Sequence, residues 1–279
     1  MTTWLLLDVS NLAHRIFHAV DSLSYGGEPT EVLFGVFRDM VELQDRYETN
    51  HIAFAFDGGI DKRKEIYPNY KGSRFEIIND MTEEQKEARR GLKRQIYRLR
   101  TKYLPMAGFK NIFWQEGYEA DDVIASVCLE SSSRDTEIII VSSDSDLFQL
   151  LSPYVLVYNP LKKKIVTAKS FQDTHGVSPV QWADVKAIAG CRTDNIQGIR
   201  GIGDVSASKF ISGTLPKGKK FDLIIEDQGE CWDRNLKLVR LPFPGTEKFT
   251  LVDDEVTNER WNRVMKSLGM RSLMRGKVV

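Results

Sequence analysis

The chain has 279 residues, 42% hydrophobic and 28% charged, enough to bury a sizeable core in one large domain or a domain with a smaller lobe. Lys plus Arg and Asp plus Glu each total 39, so the net charge is zero, which excludes a uniformly basic nucleic-acid binder but not segregated patches. Cys128, Cys191 and Cys231 lie far apart without a CxxC pair, arguing against a disulfide framework or structural zinc and for a reducing cytoplasm. The start, Met1-Thr2-Thr3-Trp4, lacks a signal-peptide pattern, and no apolar run nears the ~20 residues that span a bilayer. A soluble cytoplasmic protein without membrane attachment is expected.

Short apolar runs without polar alternation predict buried parallel strands at residues 4–7, 52–56, 111–114 and 137–141, with 154–158 as an edge strand. Helical patterns over 30–47, 82–102 and 120–131 lie between them. Strands alternating with helices predict a doubly wound α/β sheet. Beyond Val180 the strand signal fades into short helices and Gly-rich turns, so a helical lobe is expected from about Pro179 (residues 179–279, after an α/β domain over 1–178).

Acidic residues gather where strands end. Asp8 follows WLLL, Asp57 follows IAFAF, and Asp144 and Asp146 follow EIIIVSS. In open α/β sheets ligands bind beyond the carboxyl ends of the strands, so these acids converge on one edge. Glu119, Asp121 and Asp122 open the helix near Ala120 and join them, with Glu119 and Asp122 able to share a face. Any one of these residues has an ordinary alternative as a helix cap or turn former. Together they would repel one another unless cations neutralise them. Oxygen donors without paired His or Cys favour Mg²⁺ or Mn²⁺, ions that polarise a phosphoryl oxygen and activate water. The pattern points to metal-assisted phosphodiester hydrolysis.

From Asp61 to Lys102, thirteen basic residues stand against seven acidic ones. The loop RKEIYPNYKGSR, residues 63–74, mixes basic groups with Tyr67 and Tyr70, a combination that holds single-stranded nucleic acid by charge and stacking. The following helix carries Lys86, Arg89, Arg90, Lys93, Arg94, Arg98, Arg100 and Lys102 around one narrow apolar stripe, Leu92, Ile96, Leu99 and Tyr103. A solvated helix face is the alternative; its usual mixture of signs is nearly missing. Downstream, DNIQGIRGIGDVSASK places Gly198, Gly201 and Gly203 before a helix starting near Asp204. This arrangement suits a nucleic-acid backbone, and a plain turn between helices would explain it as well.

In order, LLLDVSNLAHRIFHA, FAFDGG, YPNYKGSR, EGYEADDVIA, VSSDSDLFQLL and IAGCRTDNIQGIRGIG resemble the 5′ nucleases, the family of phage flap endonucleases and the 5′–3′ exonuclease domain of bacterial DNA polymerase I. The resemblance runs from about Leu5 to Leu241. It implies a PIN-like, mostly parallel sheet flanked by helices, a helical arch over about 60–104 and a C-terminal helix–three-turn–helix lobe gripping duplex DNA. It implies Asp8, Asp57, Glu119, Asp121, Asp122, Asp144, Asp146 and Asp194 as metal ligands for Mg²⁺ or Mn²⁺. Lys71 and Arg74 would act on the scissile phosphate, and Tyr70 would stack on the adjacent nucleotide. Arg63 joins the DNA-binding set with Lys86, Arg90 and Lys93 of the arch, and Gly201 and Gly203 match a phosphate-binding hairpin that in relatives can hold K⁺.

One departure concerns the second metal position. The family usually has two aspartates three apart after the glycine, whereas Gly190-Cys191-Arg192-Thr193-Asp194 puts a thiol in the first place and an Arg beside it. A neutral thiol is a poor ligand for a hard cation. The reading is a monomeric 5′–3′ exonuclease or flap endonuclease serving DNA replication or repair, its substrate DNA with a 5′ flap, a free 5′ end or a duplex–single-strand junction. The alternatives are a catalytically weakened relative that binds branched DNA, which Cys191 supports, and a PIN-type ribonuclease.

Overall fold

The computed structural model describes residues 1–19, 23–227 and 229–275. Strand β1 (Thr2–Asp8) runs directly into α1 (Val9–Ala19), and a small hairpin, β2 (Ser24–Tyr25) and β3 (Glu28–Pro29), precedes α2 (Glu31–Tyr47). Then come β4 (His51–Ala55), α3 (Asp61–Ile66), α4 (Gly72–Asn79) and α5 (Glu83–Arg98). A π-helical turn over Leu99–Tyr103 leads to α6 (Leu104–Ala107), β5 (Ile112–Phe113), α7 (Ala120–Ser131) and β6 (Thr136–Val141). The chain continues through β7 (Val155–Asn159), β8 (Lys164–Val166), α8 (Ala168–His175), α9 (Trp182–Ala189), β9 (Gly190–Cys191) and β10 (Ile196–Gln197). Helices α10 (Asp204–Ile211), α11 (Lys219–Glu226), α12 (Glu230–Val239) and α13 (Asn258–Ser267) complete it.

The main sheet has the order β5-β4-β1-β6-β7-β8, parallel except for the last pair. Because β1 has neighbours on both sides and helices on both faces, its run must be apolar in both directions. Leu5 and Leu7 point into one core with Leu12, Val36, Phe37 and Leu92, while Trp4 and Leu6 point into the other with Val123, Ile124, Trp182 and Ile188. The register sets Asp8 level with Ala55 of β4 and Leu7 level with Val141 of β6. Asp57 and residues 142–146 therefore emerge beside Asp8 at one carboxyl edge.

Three features differ from the sequence expectation. Strand β7 is not an edge, because the three-residue β8 pairs antiparallel along its outer side. The strand expected over 111–114 shrinks to two residues: the buried Asn111 side chain donates to the Val252 carbonyl (2.8 Å), and Trp114 turns outward beneath the Arg100 guanidinium, 3.9 Å from its ring centre. The segment 63–74, expected as a loop, is helical at both ends, in α3 and α4. Within the expected 179–279 lobe, Trp261 of α13 is fully buried against Phe37 in the first core (5.4 Å, edge to face).

Helix α5 is fixed rather than freely arched. Thr82 and Gln85 form a reciprocal capping box at its start. Leu92, Leu99 and Tyr103 of the predicted stripe are buried, with Ile96 packed against them. The buried Gln95 amide donates to Glu31 (2.7 Å) and accepts from the Val32 N–H (3.0 Å), satisfying a free donor in the buried first turn of α2. No helix among the described residues is long and apolar enough to cross a membrane.

Candidate metal centre and nucleic-acid interface

Asp8 ends β1 and is 4% exposed, accepting from the Asn11 N–H (3.0 Å) and the Ser142 hydroxyl (2.8 Å). Burial, and then the neighbouring charge of Asp57, lift its carboxyl from 3.8 to about 7 despite those hydrogen bonds. Asp57 accepts from the Ala120 N–H (2.8 Å), an anion on the first turn of α7. Asp121, on that same turn, is held well above the ordinary carboxylate range by desolvation, then by Asp144 and Asp8. Asp144 accepts from the Asp146 N–H (2.9 Å). Among the described residues no Lys or Arg forms an ion pair with any of Asp8, Asp57, Asp121 or Asp144. Oxygen donors without an ion-pairing cation are the donor type that a hard divalent ion takes.

The other acids have partners. Asp122, expected in the metal set, is fully buried and directed elsewhere: Arg63 grips it with both terminal nitrogens (2.5 and 2.8 Å), and the Phe243 N–H donates to it at 2.9 Å. Arg63, expected on DNA, is likewise buried; it also donates to the Leu238 carbonyl (2.9 Å) and lies over the Phe243 ring (4.8 Å). This pair ties α3, α7 and the segment after α12 together. Tyr70, expected to stack on a nucleotide, is 3% exposed, and its hydroxyl donates to Glu119 (2.7 Å). Burial, then the Glu119 charge, hold the Tyr70 proton in place.

Glu119 accepts from Lys71 as well and lies 3.3 Å from Arg63. Burial pushes its carboxyl up, but Lys71 and Arg63 outweigh that and leave it below the ordinary range. Lys71 starts α4 in the left-handed region (φ 53°), its N–H donating to the Asp194 carbonyl at 2.9 Å and its ammonium 3.5 Å from the Asp194 carboxylate. Arg74 reaches the same carboxylate (3.0 Å) with its side chain half exposed. The segment 67–74 is thereby laced to the turn Arg192–Asp194.

Asp146, Cys191 and Asp194 make a tighter group, with one donor atom from each lying within 4.8 Å of the others. Lys186 of α9 stands 3.3 Å from Asp146 and 3.9 Å from Asp204. Desolvation and Asp144 raise Asp146 to about 6, with Lys186 opposing. Sequence reasoning missed Lys186; the available signal was one Lys in the mostly apolar ADVKAIA, five residues before Cys191. It also missed the Ser142 hydroxyl on Asp8, and His14, whose imidazole is shifted below its ordinary pKa by desolvation and then by Arg89, with Asp57 opposing.

Farther out, Lys86 pairs with Glu83 (3.0 Å), and Arg90 and Arg94 both pair with Glu87 (2.9 and 2.8 Å). The face of α5 is thus less uniformly basic than its residue run suggests. In the hairpin the glycines have distinct jobs. A side chain at Gly198 would strike the Ala189 carbonyl (2.2 Å), so this residue packs two backbones together. Gly201 needs its positive φ (85°), whereas Gly203 is extended (φ −114°) with open space where a Cβ would be.

Residues 3–176 match the family model described as 5′-3′ exonuclease, N-terminal resolvase-like domain. The 5′-3′ exonuclease of Aquifex aeolicus is 33% identical over 213 residues, covering 76% of this chain and 69% of that protein. The thermostable DNA polymerase I of Thermus filiformis is 31% identical over 209 residues; the match covers 75% of this chain but only 23% of the polymerase. Among solved structures, T5 5′-exonuclease with divalent metal ions (zinc) bound superposes with a TM-score of 0.70 at 24% identity, over 86% of this chain and 90% of that one. Flap endonuclease-1 from Methanococcus jannaschii gives 0.58 at 15%, over 97% and 92%. Both likenesses are of fold.

Proposed function

Because the chain belongs to the 5′-3′ exonuclease family, we propose that it is a divalent-metal-dependent 5′ nuclease cutting DNA at flaps or free 5′ ends. The observation that carries this is the quartet Asp8, Asp57, Asp121 and Asp144: four carboxylates at one sheet edge with no ion-pairing Lys or Arg among the described residues, two of them raised by desolvation and by other members of the quartet. Mg²⁺ or Mn²⁺ bound there would polarise a phosphoryl oxygen and acidify a water. Lys71 and Arg74 offer donors to the scissile phosphate, Arg74 by exchanging Asp194 for it. Tyr70 holds Glu119 in place, and Arg63 with Asp122 braces the frame. Lys86, Arg90 and Lys93 would receive the single strand. The hairpin with Gly201 and Gly203, acting as a helix–three-turn–helix element of the 179–279 lobe, would hold the duplex.

A 5′-labelled flap DNA incubated with the protein in Mg²⁺ or in excess chelator tests this reading. Short 5′ products only with the divalent ion are expected. Cutting in chelator contradicts the metal mechanism. Tight binding without cutting in Mg²⁺ would favour a weakened branched-DNA binder, a reading that Cys191 among the acids supports. Preferential cutting of an equivalent RNA would favour a ribonuclease.

A further inference from the structure

We propose that Asp146, Cys191 and Asp194 form a second cation site that selects thiophilic divalent ions, of the class of Zn²⁺, Co²⁺ and Cd²⁺, over Mg²⁺. This rests on reading the acidic edge as a metal centre and adds which ion its two halves prefer. The three residues present one donor each, all within 4.8 Å, and the backbone holds two of them there. Cys191 of β9 pairs antiparallel with Ile196 of β10, and the helical turn Arg192–Asp194 between them returns Asp194 to the thiol. Gly190 and Gly198 meet backbone to backbone behind this turn, leaving no room for a Cβ on either.

Charge makes the site a poor one for a hard ion. Lys186 already faces Asp146 at 3.3 Å, and Arg74 and Lys71 face Asp194 at 3.0 and 3.5 Å, so both carboxylates already have cationic partners. Mg²⁺ requires octahedral oxygen ligands, holds its waters and gains little from sulfur. A thiophilic ion instead forms a sulfur–metal bond as the Cys191 S–H bond breaks, and the released proton goes to solvent. Three protein donors leave a fourth tetrahedral position open.

The test is Co²⁺ added to the full chain, read as the near-ultraviolet sulfur-to-cobalt charge-transfer band. The band should appear, persist in a large excess of Mg²⁺ and in Cys231→Ser, and vanish in Cys191→Ser and Cys191→Asp, with circular dichroism confirming that each variant is folded. Zn²⁺ affinity by equilibrium dialysis should fall more than about tenfold in Cys191→Ser, since even an indirect partner of a metal ligand is worth that much. No band, a band surviving Cys191→Ser, or one abolished by equimolar Mg²⁺ overturns the proposal. Mg²⁺-dependent flap cleavage is scored separately: its failure strikes the nuclease reading, while the cobalt band alone judges this site.

Discussion

The two halves of the acidic edge are built on opposite electrostatic plans. Asp8, Asp57, Asp121 and Asp144 sit at the ends of β1 and β4, at the start of α7 and after β6; backbone or hydroxyl groups donate to Asp8, Asp57 and Asp144, and among the described residues no Lys or Arg pairs with any of the four. Asp146, Cys191 and Asp194 are closer together and come with Lys186, Lys71 and Arg74. The open quartet suits a hydrated hard ion, which binds through one or two carboxylates and keeps several waters. The compact trio suits direct ligation or neutralisation by lysine. What differs is the cation at hand: Lys186, Lys71 and Arg74 pair with the trio, and among the described residues no Lys or Arg pairs with the quartet.

Asp144→Asn strikes this contrast hardest. It removes a charge from the quartet while preserving the acceptor oxygen for the Asp146 N–H, and should lower Mg²⁺-dependent flap cleavage by about a thousandfold. Binding of flap DNA, measured by anisotropy in chelator, should persist. Lys71→Met should cost about a hundredfold in cleavage and, because Glu119 loses a buried partner, about 3 kcal/mol of stability by denaturant titration. An unchanged unfolding midpoint would mean that Lys71 does not neutralise Glu119.

Acidity separates metal-free from metal-bound protein. Asp8 and Asp146 rise from 3.8 to about 7 and about 6. A carboxyl raised in the folded state contributes stability that is full below its unfolded pKa and is lost as pH climbs through the folded value. In chelator that contribution should be lost between about pH 4 and pH 7. Mg²⁺ should raise the melting temperature at about pH 8, by about 5 °C at a hundredfold excess over Kd, and much less at about pH 5. An equal rise at both pH values would separate Mg²⁺ binding from the Asp8 carboxyl.

Smaller effects belong to the outer surfaces. Gly203→Val should leave stability within about 0.5 kcal/mol, since its Cβ meets open space, while weakening duplex binding about tenfold. Equal loss on single strands would take the hairpin out of duplex recognition. Replacing Lys86, Arg90 and Lys93 with Ala should flatten log affinity against log salt by about one unit for each duplex phosphate left without its cation, and by less for a single strand. An unchanged slope would mark this face as merely solvated.

Much of this edge was legible because a parallel strand announces both its apolar run and the residue that ends it. Asp8, Asp57 and Asp144 could be placed together without coordinates. Which member of Asp121-Asp122 turns to the site could not, because neighbours on a helix point about 100° apart and only the distant Arg63 decides which is claimed. Tyr70 looked like a stacking ring among basic residues; its burial follows from the contact between segment 67–74 and residues 192–195, far along the chain. Strand β8, three residues long, carries no periodicity, and so β7 looked like an edge. Lys186 escaped notice because a lone Lys in a helix is usually solvated, and only packing shows it among carboxylates.

On this reading the hard ion acts at the uncompensated quartet and not at the lysine-bearing trio. Calorimetric titration of Mg²⁺ into the wild type, Asp144→Asn and Cys191→Ser decides between the two. The wild type and Cys191→Ser should take up the ion with similar affinity, and Asp144→Asn should lose it. Mg²⁺ binding that survives Asp144→Asn and disappears in Cys191→Ser would contradict this division of the edge.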